Sequence, residues 1–354
     1  MARLLFGGYF GCGNLGDDAV MLGIAYGLEG SKHEIEVLSG APEETYRAYG
    51  LPAVPRMDQA AVKAAIDKCD ALVFPGGSVF QDVTSVRSVY YYSQLVQQAK
   101  KAKKRVVLVG QGVGPLTRWL GKRFAASAFN AANVVVVRDP ASATELTKLG
   151  VKKKVRIAAD SAFLLPQPNL SDSDVSFKVG DMRAVGLAPR PYGKSSQYVV
   201  HLFAGIARAL YEANILPVLI EMDRTEDAPL IEAINRQHGG KIPDLRKIQT
   251  PMQMQQRMAR LDGVIAMRLH AGVLAASVGV PPYMVAYDPK VSAFSKLLEL
   301  NSAPPLKGLN AARLVEGFQQ FLKDRERNQK ILERKRGELL KLAEINVQAI
   351  LDAV

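Results

Sequence analysis

The sequence alternates short apolar segments with longer amphipathic ones, and this alternation limits the fold more than any other feature. In the first half the apolar segments are rich in Val and Leu, and most are bounded by Gly, Pro or Asp. Such segments predict buried strands, and strands that alternate with helices form a parallel, doubly wound sheet. The predicted strands are 3–6, 34–38, 71–74, 105–109, 134–137 and 155–158, and the predicted helices are 18–28, 59–68, 83–102, 119–132 and 141–149.

The alternation breaks over 166–180, where Pro, Ser and Asp cluster without an apolar face, and then it returns. We interpret the break as a linker between two domains. Further strands are predicted at 184–188, 216–220, 263–266 and 283–286, and further helices at 197–213, 251–261, 271–278 and, as one or two charged helices, 311–349. The prediction is an α/β fold with Rossmann-like domains over 1–165 and 181–309, a linker over 166–180 and C-terminal helices over 310–354.

Composition excludes several classes of protein. Of the 354 residues 48% are hydrophobic and 23% charged, which is globular usage rather than that of a disordered or collagen-like chain. Two cysteines predict a reducing compartment without a disulfide framework. No signal peptide is recognised, and no uncharged apolar stretch reaches the ~18–20 residues of a membrane span. We therefore expect a cytoplasmic protein.

The net charge of +12 predicts an acidic partner: nucleic acid, a phosphorylated metabolite or an anionic membrane. Nucleic acid is not expected, because the basic runs 100–105 and 152–154 lack interleaved aromatic residues. The segment 323–341 is either a solvated helix face or a face that touches anionic lipid at the inner side of the cell membrane. Replacing its basic triplet 334–336 by glutamine would test that peripheral contact.

Three glycine-rich segments follow strands of the first half, where open α/β sheets bind ligands. The first matches the dinucleotide pattern through Gly11, Gly13 and Gly16. Asp17 and Asp18 would repel a pyrophosphate at the helix start, so helix capping is the favoured role for at least one of them. The second segment contains Gly76-Gly77-Ser78, and the third contains Gly110-Gln111-Gly112.

Four cationic residues also follow predicted strands. Arg138 ends a strand of four valines, so it either pairs with Asp139 or Asp160 or binds a carboxylate or phosphate. Arg268 and His270 flank Leu269 before a helix, which suits an anion, although His270 could also be structural. Lys290 lies at the same rim, where an exposed surface lysine is the alternative. Neither a metal-ligand spacing nor a Gly-x-Ser-x-Gly motif is present, so we expect no metal and no cofactor.

Taken in order, these motifs resemble the polysaccharide pyruvyl transferase family, and within it the bacterial branch that modifies the secondary cell wall polymer used for surface-layer anchoring. The resemblance extends from residue 8 to about 290. It rests on Gly8-Tyr9-Phe10-Gly11, Asn14-x-Gly16-Asp17, Gly76-Gly77-Ser78, Gly110-Gln111-Gly112-Val113-Gly114-Pro115, Arg138-Asp139, Asp160-Ser161-Ala162-Phe163 and Arg268-Leu269-His270.

The resemblance implies a GT-B-like fold of two Rossmann-type domains facing a cleft, with the C-terminal helix packing toward the first domain. It implies phosphoenolpyruvate as the donor and co-substrate. The implied acceptor is N-acetylmannosamine of a lipid-linked disaccharide, and the products are its 4,6-ketal of pyruvate and phosphate. The resemblance also gives catalytic weight to Arg138, His270 and Lys290.

Phosphoenolpyruvate carries a carboxylate and a phosphate, so its site must bring several cations together. We expect Arg138, Arg268 and Lys290 to bind the donor together with Gly272, and His270 to act as general acid. The predicted acceptor-binding residues are Asn14, Gly77, Ser78 and Gln111.

Three other functions remain in competition. A glycosyl transfer from a nucleotide sugar would use the same fold but would need an anchor for base and ribose. A non-catalytic protein that binds glycan or membrane would bind without forming product. A dehydrogenase is disfavoured by Asp17 and Asp18.

Overall fold

The computed structural model describes residues 1–83, 85–170, 182–193 and 196–354. The chain divides into two compact units. The first unit combines Met1–Leu165 with Glu338–Val354, and the second is Pro166–Gly337. The boundary falls where the predicted linker begins, and residues 171–180 of that linker lie outside the described residues. Within the described part of the chain, no helix is both long and apolar enough to cross a bilayer.

The first unit is built on a parallel sheet, as the alternating pattern predicts. The strand order is β3-β2-β1-β4-β6-β7-β8, with β5 paired beside β6, and Leu5 lies between Glu36 and Leu72 in the central register. The described strands are β1 (Arg3–Phe10), β2 (Glu34–Ser39), β3 (Ala53–Pro55), β4 (Ala71–Phe74), β5 (Gly77–Phe80), β6 (Arg105–Val113), β7 (Val134–Val137) and β8 (Val155–Ile157).

Four of the six helices of the first unit begin at a polar residue whose side chain caps them, while α2 and α5 begin without a side-chain cap. Asn14, Asp58, Ser85 and Asp139 each accept a backbone N–H at a helix start, which satisfies groups that the helix leaves unpaired. The helices are α1 (Leu15–Gly27), α2 (Pro42–Tyr49), α3 (Gln59–Lys68), α4 (Val86–Lys101), α5 (Trp119–Ala131) and α6 (Pro140–Lys148), with a 3₁₀ turn at Ser161–Leu164.

The second unit repeats the architecture with a smaller parallel sheet, ordered β11-β10-β9-β12-β13. Its described strands are β9 (Arg183–Ala188), β10 (Ile215–Ile220), β11 (Asp244–Leu245), β12 (Gly263–Ala266) and β13 (Pro282–Met284). The helices are α7 (Gln197–Glu212), α8 (Arg224–His238), α9 (Pro251–Met258), α10 (Leu269–Ser277), α11 (Pro289–Leu298), α12 (Ala311–Lys323) and α13 (Arg325–Leu351).

Each predicted strand overlaps an observed one, and the predicted parallel α/β class is confirmed. The predictions missed β3, β5 and β11, which are only two to four residues long. They also missed α2, α8 and α11. Helix α8 has Pro229 in its interior and a low apolar content, so its sequence gives a weak helical signal.

The C-terminal helices belong to both units. Helix α12 packs on α7 of the second unit, because its apolar face includes Leu314 and the fully buried Phe318. Helix α13 joins the first unit only from Glu338 onward. There the Oδ1 of Asn346 accepts the backbone N–H of Gly110 at 2.9 Å, and its Nδ2 donates to the carbonyl of Ala159 at 2.9 Å.

The basic triplet proposed for membrane contact lies in the part of α13 that belongs to the second unit. Arg334 donates to Oε2 of Glu299 at 2.7 Å, and Lys335 pairs with the same carboxylate. These hydrogen bonds hold the pKa of Glu299 below its usual value. Two cations of the triplet therefore pair within the protein.

Candidate active site

Two segments predicted as ligand-binding loops are kinked extensions of the first sheet. Gly77 of β5 pairs with Gln111 of β6, and Phe80 pairs with Val113. Gly77 and Gly110 have φ values of +89° and +59°, a left-handed conformation that glycine adopts without strain. The expectation of two free loops is therefore corrected, because β6 continues beyond the last residue of β4 and pairs there with β5.

Arg138 follows β7 at this edge and is almost completely buried. Its Nη1 donates to Oδ2 of Asp160 at 3.0 Å, and its Nε lies 3.6 Å from Oδ2 of Asp139. Both carboxylates considered from the sequence therefore pair with this guanidinium. The pairs fix its orientation and compensate its charge, so Arg138 is a preorganised group rather than an isolated cation.

Ser78 and Gly112 complete the surroundings of Arg138. The Nη2 of Arg138 donates to Oγ of Ser78 at 2.9 Å. A Cβ atom at position 112 would lie 2.5 Å from that Nη2 and 2.7 Å from Ser78 Oγ. Only glycine allows this approach, so the third glycine-rich segment makes room for a guanidinium.

The first glycine-rich segment is organised by side chains that cap the following helix. Asn14 accepts the backbone N–H groups of Gly16 and Asp17, and it is partly exposed. Asp18 is buried, where it accepts the N–H of Gly11 at 2.9 Å and the hydroxyl of Tyr49 at 3.0 Å. Asp18 thus closes the turn itself, whereas the cap of α1 is Asn14 and not one of the two aspartates that the sequence favoured for that role.

Gln111 lies in the core, which corrects the expectation that its side chain contacts an acceptor. The residue is fully buried, and its Nε2 donates to the carbonyls of Phe74 at 3.0 Å and Val109 at 2.8 Å. One of these bonds joins β6 to the end of β4, and the other lies within β6. Gln111 therefore supports the strand extension instead of facing a ligand.

Arg56, which follows the short strand β3, is a residue that the sequence predictions missed. Its guanidinium lies 5.1 Å from the ring centres of both Tyr9 and Tyr91, and it donates to Tyr92 Oη at 3.0 Å and Cys12 Sγ at 3.4 Å. The side chain is 9% exposed and its buried Nε has no hydrogen-bond partner among the described residues.

The groups around Arg56 leave its charge uncompensated. Burial raises the pKa of Cys12, and it also raises the pKa of Tyr91 and Tyr92, so all three stay protonated at neutral pH. No carboxylate of the described residues forms an ion pair with Arg56. A nearly buried cation among neutral groups is suited to an anionic ligand.

In the second unit, Arg268 follows β12 and pairs with two carboxylates of α8. Its Nε donates to Oδ1 of Asp227 at 3.1 Å, and its Nη2 donates to Glu226 at 2.8 Å. Asp227 is fully buried and also accepts the N–H groups of Met222 and Asp223 at 3.0 Å. This network anchors the start of α8 beneath the guanidinium.

His270 and Lys290 are each the second residue of a helix at the same sheet edge. Helix α10 begins after Arg268 without a side-chain cap and without an acidic residue in its first turn. Its first N–H groups therefore lack a side-chain acceptor and favour an anion, and His270 in the same turn is half-buried. Lys290 follows the Asp288 cap of α11 and is partly exposed.

Gly272 has a packing role in α10, and its expected contact with the donor stays a prediction. It is buried, and a Cβ atom there would lie 2.4 Å from Sδ of Met284 on β13. The glycine lets the helix approach the strand closely.

Arg190, directly after β9, is a second cation that the predictions missed. Its Nη1 donates to the hydroxyl of Tyr287 at 2.5 Å, and its guanidinium lies 5.2 Å from the centre of that ring. Burial raises the pKa of Tyr287, against the opposing effect of Arg190, so the phenol does not neutralise the arginine. Arg190 follows a correctly predicted strand, as Arg138 does. That position is the sequence signal that could have identified it.

Cations of the second unit thus follow three neighbouring strands, β9, β12 and β13, while β10 is followed by the carboxylates that hold Arg268. Within the described ranges, no group of three or more His, Cys, Asp or Glu side chains is arranged to hold a metal ion.

Comparison with known proteins decides the family. The family model for polysaccharide pyruvyl transferase matches residues 14–289, which is most of the chain. This chain belongs to the polysaccharide pyruvyl transferase family. It is also similar to the amylovoran biosynthesis protein AmsJ of Erwinia amylovora, with 23% identity over 84% of this chain and 86% of that protein. The family is one of enzymes, and the matched range contains Arg138 and Arg268-Leu269-His270.

Solved structures establish the fold class beyond the sheet order. MnaA of S. aureus, determined with UDP, matches with a TM-score of 0.67 and 11% identity over 100% of this chain and 98% of that one. A glycosyltransferase of Rickettsia africae matches with a TM-score of 0.62 and 10% identity over 99% and 96%. This pyruvyl transferase family member therefore has a GT-B-like fold of two Rossmann-type domains.

Proposed function

We propose that this enzyme transfers pyruvate from phosphoenolpyruvate to two hydroxyls of a sugar, forming a 4,6-ketal and releasing phosphate. The observation that carries the proposal is the set of cations at the uncapped start of α10. Arg190, Arg268, His270 and Lys290 all follow strands of one sheet edge. A donor with a carboxylate and a phosphate requires such a convergence.

The two arginines of this edge suit different tasks. Arg268 is held by Asp227 and Glu226, so it presents a fixed guanidinium and orients the start of α10. Arg190 pairs with a neutral phenol, so its charge is available to an anion. We assign the donor's anionic groups to Arg190, Arg268 and Lys290 together with the helix N–H groups.

The reaction requires one proton at the donor's methylene carbon and a nucleophile at its central carbon. In the proposed sequence, His270 donates the proton as one sugar hydroxyl attacks, which gives a tetrahedral intermediate. The proton of the first hydroxyl returns to the imidazole of His270, and the bond between the central carbon and the phosphate oxygen then breaks. The second hydroxyl closes the ketal as its proton passes to the departing phosphate. General acid catalysis of this kind contributes about 10²–10⁴-fold. Arg138 supplies charge stabilisation during the loss of phosphate.

The acceptor is assigned to the carboxyl edge of the first sheet. Asn14, Gly77 and Ser78 lie there with partly exposed or backbone polar groups, and Ser78 is oriented by Arg138. Arg56 adds a cation that forms no ion pair with a carboxylate of the described residues. These features support an acceptor that carries sugar hydroxyls and an anionic group, as the N-acetylmannosamine disaccharide linked to lipid pyrophosphate does. Such an acceptor would be used at the cytoplasmic face of the cell membrane, in cell wall assembly.

The test is to incubate the full chain with phosphoenolpyruvate and the lipid-linked disaccharide. Equimolar phosphate and a pyruvyl ketal on the sugar, identified by mass spectrometry, are the expected products. A parallel incubation replaces phosphoenolpyruvate by a nucleotide sugar. Nucleotide release there, without phosphate release in the first reaction, would make the enzyme a glycosyltransferase. Glycan binding with neither product would make it a binding protein.

A further inference from the structure

The chain's single tryptophan lies on the surface, at the first position of α5. Trp119 is 67% exposed, and its neighbour Leu120 is 38% exposed. Val83 and Tyr90, before and within α4, are 63% and 47% exposed. Single exposed apolar residues are ordinary in folded proteins, whereas several on adjacent elements mark an interaction surface.

Contacts within the first unit show that the helices that carry Tyr90 and Leu120 are neighbours. Helices α4 and α5 run in the same direction, since the Tyr90 ring lies 5.0 Å from that of Phe124 and Gln97 donates to Ser127 at 3.1 Å further along. Leu120 precedes Phe124 by one helical turn and so shares its face. The starts of both helices therefore lie side by side.

A buried carboxylate fastens the two helix starts to each other. Oδ1 of Asp82, beside Val83, accepts the backbone N–H of Thr117 at 2.8 Å. Its Oδ2 accepts the N–H of Arg118 at 2.7 Å. The exposed apolar side chains are thus held on a fixed platform rather than on separate loops.

The same platform is strongly cationic. Four exposed basic residues flank Trp119, and none forms an ion pair with a described residue: Arg87, Arg118, Lys122 and Arg123. Helices α4 and α5 contain no Asp or Glu, although the chain has 34 acidic residues. We call these four basic residues, with Val83, Tyr90, Trp119 and Leu120, the α4–α5 surface.

We propose that the α4–α5 surface binds an anionic lipid bilayer. Tryptophan and tyrosine favour the boundary between headgroups and acyl chains, and leucine and valine enter the apolar layer. Surrounding arginines and lysines meet the headgroup charge without repulsion from any carboxylate of α4 or α5. The aliphatic side chains favour a bilayer over a nucleic acid, whose bases would stack on aromatic rings alone. This inference does not depend on the proposed reaction.

Because the chain has one tryptophan, its fluorescence reports directly on this surface. We expect vesicles of phosphatidylglycerol and phosphatidylcholine to shift the emission of Trp119 to shorter wavelength, and brominated acyl chains to quench it. Vesicles of phosphatidylcholine alone should bind far more weakly. An emission that stays unchanged on the anionic vesicles would overturn the proposal. An equal shift of the Trp119 emission on addition of a single-stranded oligonucleotide would overturn it as well.

A matched pair of triple variants separates a specific surface from general charge attraction. R118Q/K122Q/R123Q should lower the vesicle partition coefficient by about 100-fold, since each cation near an anionic surface contributes several-fold. K152Q/K153Q/K154Q removes the same charge from exposed residues that lie before β8, at the amino end of that strand. This variant should change the vesicle partition coefficient by less than about 10-fold. Equal losses in both variants would contradict the proposal.

Discussion

The Nε of Arg268 donates to Oδ1 of Asp227 at 3.1 Å, so a cation that the sequence assigns to an anionic ligand is one half of a buried ion pair. Glu226, the residue before Asp227, contacts the same guanidinium from a more exposed position. The pair joins the end of β12 to the start of α8. Arg268 can therefore present its remaining surface to a donor only while Asp227 holds it in place.

Replacement of the buried carboxylate tests this relationship. D227N leaves a buried guanidinium without its nearest counter-charge, which typically costs about 3–5 kcal/mol. We expect the free energy of unfolding, measured in urea, to fall by that amount. The matched control is E226Q, whose partly exposed carboxylate should contribute about 1 kcal/mol or less. Equal effects of the two substitutions would show that burial does not set the strength of the network.

The space at Gly112 gives a second prediction. G112A places a Cβ atom 2.5 Å from Arg138 Nη2, so the guanidinium must move away from Ser78. We expect kcat/KM to fall by about 100-fold, as small misplacements of catalytic groups do, and stability to fall by about 1–3 kcal/mol. G337A is the control, because nothing lies within 4 Å of that position in α13, and alanine should stabilise the helix by about 0.5–1 kcal/mol.

The general acid can be tested at saturating donor. H270Q keeps a polar side chain of similar size at the start of α10 but cannot donate a proton as imidazolium does. We expect kcat for phosphate release to fall by about 10²–10⁴-fold. H201Q, on the exposed face of α7, should leave kcat unchanged. Wild-type turnover by H270Q would remove the acid role from this residue.

Arg56 predicts a separation of acceptor from donor affinity. R56M removes the cation but keeps apolar contact with Tyr9 and Tyr91. Since a hydrogen bond to a charged group contributes about 1.5–3 kcal/mol, KM for the lipid-linked acceptor should rise by about 10- to 100-fold while KM for phosphoenolpyruvate stays constant. R47M, on the exposed surface of α2, is the control. A rise in the donor KM instead would place the donor at Arg56.

Cys69 predicts how stability changes at alkaline pH. Burial raises the pKa of its thiol from 9.0 to about 11. Between these values the unfolded chain has released the proton and the folded chain retains it, so stability falls as pH rises. We expect the urea midpoint to fall between pH 9 and pH 11. C69A should lose less of its own midpoint over the same interval, and an identical loss in both proteins would assign the effect to other groups.

Much of the candidate site follows from strand ends that the sequence reveals. Arg138, Arg268, His270 and Lys290 were found because each comes after a short, apolar segment, and parallel strands bring their carboxyl ends to one edge. Arg56 gave no such signal, since β3 has three residues and contains a proline. The α4–α5 surface was also missed, because the exposure of its side chains depends on which face of each helix the rest of the unit leaves uncovered.

By itself, the sequence determined the parallel α/β class, the two-part organisation and the positions of the cations along the chain, because these depend on local periodicity and on motif order. Only the tertiary structure decided which cations are compensated. Arg138 and Arg268 meet carboxylates from distant segments, Arg56 meets neutral rings, and Gln111 faces the core. Apart from Asp139 and Val109, which adjoin Arg138 and Gln111, those partners lie about 20 or more residues away in sequence, so charge compensation and burial follow mainly from packing rather than from local pattern.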